Sequence, residues 1–141
     1  MINKALLDEA KAFLCWDVFP NLSIQLVEFN GPVSYYYPPS ERNTIILHYE
    51  RGNPNFSFPL FLLFHEAGHL LQFKEMQTNG TESDFWKIIN VPTGLSKTKF
   101  EKEGWSKGRV VFQQFIRKHR LEEALLKDYD RVAQNSIESY D

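Results

Sequence analysis

Phe58 to Lys74 reads FPLFLLFHEAGHLLQFK, a helical stretch so apolar in its first half that it must be buried rather than laid on a surface. Set into it are His65, Glu66 and His69, two imidazoles and a carboxylate that apolar surroundings should exclude unless each is partnered. Residues four apart stand one above the other on an α-helix. His65 and His69 can therefore offer two ring nitrogens to one Zn²⁺, with Glu66 beside them as a general base. The competing reading is a chance HExxH in a core helix, its histidines satisfied by hydrogen bonds. The intervening Ala67 and Gly68 favour a site. Glycine inside a helix costs about 1 kcal/mol relative to alanine, so a second backbone is expected to come close on that side.

The rest of the composition restricts partners more than chemistry. A chain of 141 residues, 43% hydrophobic and 15% aromatic, is expected to be one domain, residues 1–141, with a core of its own. The net charge of −2 and the lack of a basic cluster imply neither a nucleic acid nor an acidic membrane surface as partner. Cys15 is the only cysteine, so no intramolecular disulfide can form, which fits a reducing compartment. MINKALLDEAKAFL carries Asp8 and Glu9 where a secretory signal needs an unbroken apolar run, and the stretch before His65 is too short to span a bilayer. A cytoplasmic protein is expected.

Along the chain, Asn3 to Cys15 places Ala5, Leu6, Ala10, Phe13 and Leu14 on one side, an amphipathic helix ending before Pro20. Three β-rich segments follow, Ser23 to Phe29, Ser34 to Tyr37 and Thr44 to Tyr49, with Asn30-Gly31-Pro32 and Pro38-Pro39-Ser40 as turn signals between them. They predict an antiparallel meander. His48 on the third strand reads as half-exposed, with a cleft role as the alternative. Ser57 is expected to cap the central helix and Pro59 to sit in its first turn, the helix fading near Lys74 to Met76. Glu82 to Ile89 predicts a short helix stopped by Pro92.

From Lys99 to Lys118 the helical period returns, with Ser96 or Thr98 as its cap. With Glu101 at zero and about 100° per residue, Gly104, Trp105, Gly108, Val111, Phe112, Phe115 and Ile116 fall on its side of the helix, whereas Glu103 falls opposite. Glu101 is thus on the buried face. It is either a metal ligand or a first-turn carboxylate serving the helix dipole. Gly104 and Gly108 flatten the same stripe, as Gly68 does on the first helix, so that the two helices can share one ion. His119 lies at the same angle but about 27 Å further along, too far for that site. A last helix is expected over Leu121 to Tyr140, with Leu121, Leu125, Tyr129 and Val132 inward.

HEAGH followed after a gap by EKEGWSKG resembles the HExxH plus ExEAxxxA arrangement of the ImmA/IrrE-like zincin metallopeptidases, small bacterial and phage domains. The order of helix, three strands and central helix is similar too, over about Ala5 to Phe115. The resemblance implies an α+β, minimal zincin-like fold: an N-terminal helix, a small three-stranded antiparallel sheet, the central HExxH helix and C-terminal helices. It also implies a zinc-dependent metallopeptidase (hydrolase) acting on a protein or peptide substrate. Zinc would be held by His65, His69 and Glu101, with Glu66 as catalytic base. Gly104 and Gly108 stand where the second motif has small residues. Trp105 replaces a small polar residue, Lys107 takes an aromatic position, and VVFQQF stands where many members have an LLMP-like run. Tyr35, Tyr36, Tyr37 and Arg109 are candidates for steadying a tetrahedral oxyanion. The rival reading is a binding or regulatory module with a partner protein, in which zinc is structural.

Overall fold

The computed structural model describes residues 1–30, 33–37 and 43–141. Helix α1 (Lys4–Ala12) starts on Asn3, whose side chain accepts the Leu6 N–H at 3.0 Å, and runs into a π-helical turn, Phe13–Val18. Three strands follow, β1 (Leu22–Phe29), β2 (Val33–Tyr37) and β3 (Asn43–Glu50), then α2 (Ser57–Thr78), α3 (Glu82–Ile89), α4 (Leu95–His119) and α5 (Ala124–Glu138). No helix among the described residues is long and apolar enough to cross a membrane.

The expected antiparallel meander is wrong. The sheet is mixed, in the order β1-β3-β2, with β1 parallel to β3 and only β2 antiparallel to it. The physical reason lies in β3. Its alternating Ile45 and Leu47 are fully buried, and Ile24 and Leu26 of β1 stand opposite them in register. A strand with so apolar a face is best flanked on both sides. Turn signals show where the chain reverses, not which strand becomes the neighbour. The α+β class holds only loosely, since most of the chain is helical. The turns expected at Asn30-Gly31-Pro32 and Pro38-Pro39-Ser40 involve residues outside those described.

Helix α2 is the hub, touching α1, α3, α4, α5, β2 and β3. Leu60, Leu63, Phe64, Ala67 and Leu70 along it are fully buried, as its apolar composition requires. It outruns the expected end by two residues, and Ser57 is its first residue rather than its cap, its N–H and hydroxyl both given to Asn55 Oδ1. Against it lies α4, held from outside by α5, where Tyr129 donates to the Trp105 carbonyl at 2.7 Å. Three glycines let α2 and α4 meet. A Cβ on Gly68 would overlap the Gly104 carbonyl oxygen and lie 2.8 Å from the Gly108 nitrogen, and one on Gly108 would overlap the Phe64 carbonyl oxygen.

Candidate metal centre

Where the two helices touch, three buried polar residues converge. His65 and His69 project from one face of α2, and Glu101 from the facing stripe of α4; each is at most 5% exposed. Glu101 Oε2 lies 3.1 Å from His65 Nε2 and 2.9 Å from His69 Nε2. One ligand atom from each of the three falls within 4.8 Å of the others, so this His-His-Glu group could hold a metal ion. Donors at about 2.0–2.1 Å around a tetrahedral ion stand about 3.3 Å apart, close to the spacing seen here. Glu103 is exposed on the opposite side, as the 100° arithmetic requires.

The surroundings fix which nitrogens face the group. Gln72 donates through Nε2 to the Phe100 carbonyl at 2.8 Å, so its Oε1, 2.7 Å from His69 Nδ1, is an acceptor. His69 therefore carries its proton on Nδ1 and presents Nε2 inward, the arrangement that metal-binding histidines use. Its ring is stacked on Phe100, 5.0 Å between centroids. Gly104 is part of the same fit, because a Cβ there would lie 2.8 Å from His69 Cε1 and 3.1 Å from Gln72 Oε1. His65 is fixed differently, by stacking on Trp105 at 4.0 Å and 15°. Its Nδ1 has no hydrogen-bond partner among the described residues.

The two imidazoles share one carboxylate oxygen, and their proton affinities diverge. Burial, and then the neighbouring His69, push His65 down to about 4. For His69 burial acts in the same direction, but the hydrogen bond and charge of Glu101, followed by the charge of Glu66 and the Gln72 contact, outweigh it and the value rises. Burial would raise Glu101, and the hydrogen bonds from His65 and His69 overcome it, holding the carboxyl well below the usual range. The same carboxylate thus acts unequally on the two rings, burial prevailing at His65 and Glu101 at His69.

Glu66, also buried, follows His65 on α2 and is near enough for its charge to act on His69. Sequence reasoning missed three residues of this centre. Gln72 is one. Lys97 is the second, 4% exposed, with Nζ 2.9 Å from Glu101 Oε1. Tyr140 is the third: its ring lies 5.5 Å from Lys97 Nζ, and burial, then the charges of Glu101 and Glu66, push its phenol up to about 12. Helix α4 begins at Leu95, earlier than expected, so neither Ser96 nor Thr98 is its cap, and Glu101 sits in the second turn rather than at the dipole end.

Other candidates lie elsewhere. Arg109 is committed to Asp130 of α5, Nε to Oδ1 at 2.7 Å and Nη2 to Oδ2 at 3.0 Å. His119 pairs with Glu9 at 3.4 Å, at the far end of α4. His48 is half-buried on β3 with its ring 5.2 Å from Phe29. Tyr35, Tyr36 and Tyr37 lie on β2, and their side chains are outside those described. Compared with protein-family models, curated proteins and solved structures, the chain has no match in any of the three.

Proposed function

We propose that this chain is a zinc-dependent metallopeptidase of the HExxH type, resembling the ImmA/IrrE-like enzymes, with His65, His69 and Glu101 as zinc ligands and Glu66 as general base. What supports the reading is the convergence of three donor atoms, one from each ligand residue, on a point flanked by a buried glutamate. The donor set of two imidazoles and one carboxylate suits Zn²⁺ and leaves a fourth position open. Zinc so held supplies Lewis acidity, which lowers the pKa of a water toward about 7 and polarises a substrate carbonyl.

The remaining work falls to the chain itself. Glu66 takes the proton of the water that attacks the carbonyl carbon and hands it to the amine nitrogen as the C–N bond breaks. Gln72 keeps His69 in the tautomer that presents Nε2. Arg109, paired with Asp130, is no longer a candidate for steadying the oxyanion, whereas Tyr140 is a phenol donor close to Glu66 and Glu101. A protein or peptide is the proposed substrate, and the cytoplasm the proposed location.

One observation favours a second reading, a binding or regulatory module with structural zinc. The ligands are so closed off, none more than 5% exposed, that the described residues leave a substrate little access. A purely structural site, however, has no need of Glu66. Replacing Glu66 by Gln distinguishes the two. On the peptidase reading the purified Glu66→Gln protein keeps its zinc and loses peptide-bond hydrolysis by about 100-fold or more. Zinc lost along with activity would assign Glu66 to the ligand set instead, and a wild-type protein that holds zinc but cleaves neither unfolded nor native proteins would favour the module.

A further inference from the structure

Lys97 is a buried lysine at the edge of the proposed centre, and every proton of its ammonium has an acceptor. Nζ lies 2.9 Å from Glu101 Oε1, 3.0 Å from the Ile89 carbonyl oxygen and 3.5 Å from that of Ile88. The two carbonyls belong to the last residues of α3, where a helix leaves its carbonyls open to outside donors, and that of Ile88 also accepts the Val91 N–H at 3.1 Å. The rings of Phe100 and Tyr140 lie 5.5 Å from the same nitrogen. Three acceptors and two π-faces make a socket for a cation, not for a neutral amine.

The division of labour on Glu101 gives this socket a purpose. Oε2 faces the two imidazoles and Oε1 faces Lys97, so both oxygens are satisfied by the chain itself. A buried carboxylate with no compensating cation is strongly destabilising, and removal of one partner of such a pair is worse than removal of both. We propose that Lys97 is the resident counter-cation of the centre, which lets α2 and α4 close on a charged Glu101 without needing a metal ion to neutralise it. Lys97 is thus a positioning residue: it acts on the ion only through Glu101, leaving Oε2 as the oxygen turned toward His65 and His69. The metal half of this inference rests on the zinc reading above; the folding half does not.

Two measurements test it. In the first, thermal midpoints are taken for wild type and Lys97→Met, each metal-free in chelator and each saturated with ZnCl₂. The metal-free form of Lys97→Met falls further than its zinc-loaded form, so the zinc-induced rise is larger in the variant, by about 4 °C or more. An equal rise in both proteins would reduce Lys97 to packing and hydrogen bonding, and a smaller rise would mean that it shapes the ligand rather than balancing its charge; either overturns the proposal. The second measurement is made entirely in chelator and stands even if wild type takes up no zinc, or if Lys97→Met does not fold without it. The double variant Lys97→Met/Glu101→Gln, with both charges gone, should be more stable to urea than Lys97→Met alone. A double variant as unstable as the single one would overturn the counter-cation role whatever becomes of the zinc reading.

Discussion

Helix α4 carries two ion pairs of nearly the same length in opposite surroundings. Lys97 and Glu101 meet at 2.9 Å with side chains 5% and 4% exposed; Arg109 and Asp130 meet at 2.7 Å with side chains 41% and 48% exposed. In water the second pair exchanges one set of good interactions for another and contributes about 0–1 kcal/mol. The first has given up hydration that its mutual attraction barely repays, and losing one member would cost about 3–5 kcal/mol. A stable fold has no need of the buried pair, since apolar residues of the same volume would serve as well. What sets it apart is its place beside His65 and His69, on the group that could hold a metal ion, and distance alone would never have told the pairs apart.

The comparison breaks most completely if the burial itself is removed. Gly68 is where α2 touches the backbone of α4, and a methyl group there meets the Gly104 carbonyl oxygen, a group that cannot rotate away. Overpacking costs about 1–3 kcal/mol and more where backbone must move, against at most about 1 kcal/mol regained from the better helix propensity of alanine. Gly68→Ala is expected to lose about 2 kcal/mol or more in urea denaturation. Its zinc uptake should fail as well, because separated helices cannot bring Glu101 Oε2 to the two Nε2 atoms. A Gly68→Ala protein of full stability and unchanged zinc affinity would show that the helices do not depend on this contact.

How much of this was legible beforehand depends on which residues carried a periodic signal. His65, His69 and Glu101 were visible because each sits on a stripe whose other members are apolar or glycine, so that spacing alone assigns the face. Lys97 was not. It lies before Lys99, where the helical period places the start of the helix, so that period assigns it no face, although α4 begins at Leu95 and sets it one turn from Glu101. Gln72, a polar residue three positions beyond His69, looks like the start of the solvent face until Phe100 is known to lie against it. The strands themselves were legible from their β-branched runs, but their pairing was not, because the parallel match of β1 to β3 joins segments that no local turn connects.

A finer test keeps the burial and removes only the support of one ligand. Gln72→Met retains the volume of the side chain while His69 Nδ1 loses its acceptor and the Phe100 carbonyl its donor. Losses of this kind in the outer shell of a metal site weaken affinity by about 10- to 100-fold. Competition with a chromophoric chelator should give a zinc dissociation constant raised by about tenfold, the far-ultraviolet circular dichroism staying that of wild type. An unchanged constant would mean that stacking on Phe100 alone orients His69.

The smallest effect is expected at the exposed pair. Asp130→Asn leaves an amide that can still accept one bond from Arg109, and the guanidinium, 41% exposed, regains water for the rest. The unfolding free energy in urea should therefore shift by less than about 0.5 kcal/mol, and what shift there is should shrink in 1 M NaCl, since exposed charges are screened over about 3 Å at that ionic strength. Zinc affinity should not move, because Arg109 stands about 12 Å along the helix from Glu101. A loss of 2 kcal/mol or more would contradict the contrast drawn between the two pairs. It would mean that the α4–α5 contact, through which Tyr129 holds the Trp105 carbonyl, leans on this ion pair, and that the stacked His65 is supported from further out than its own ring partner.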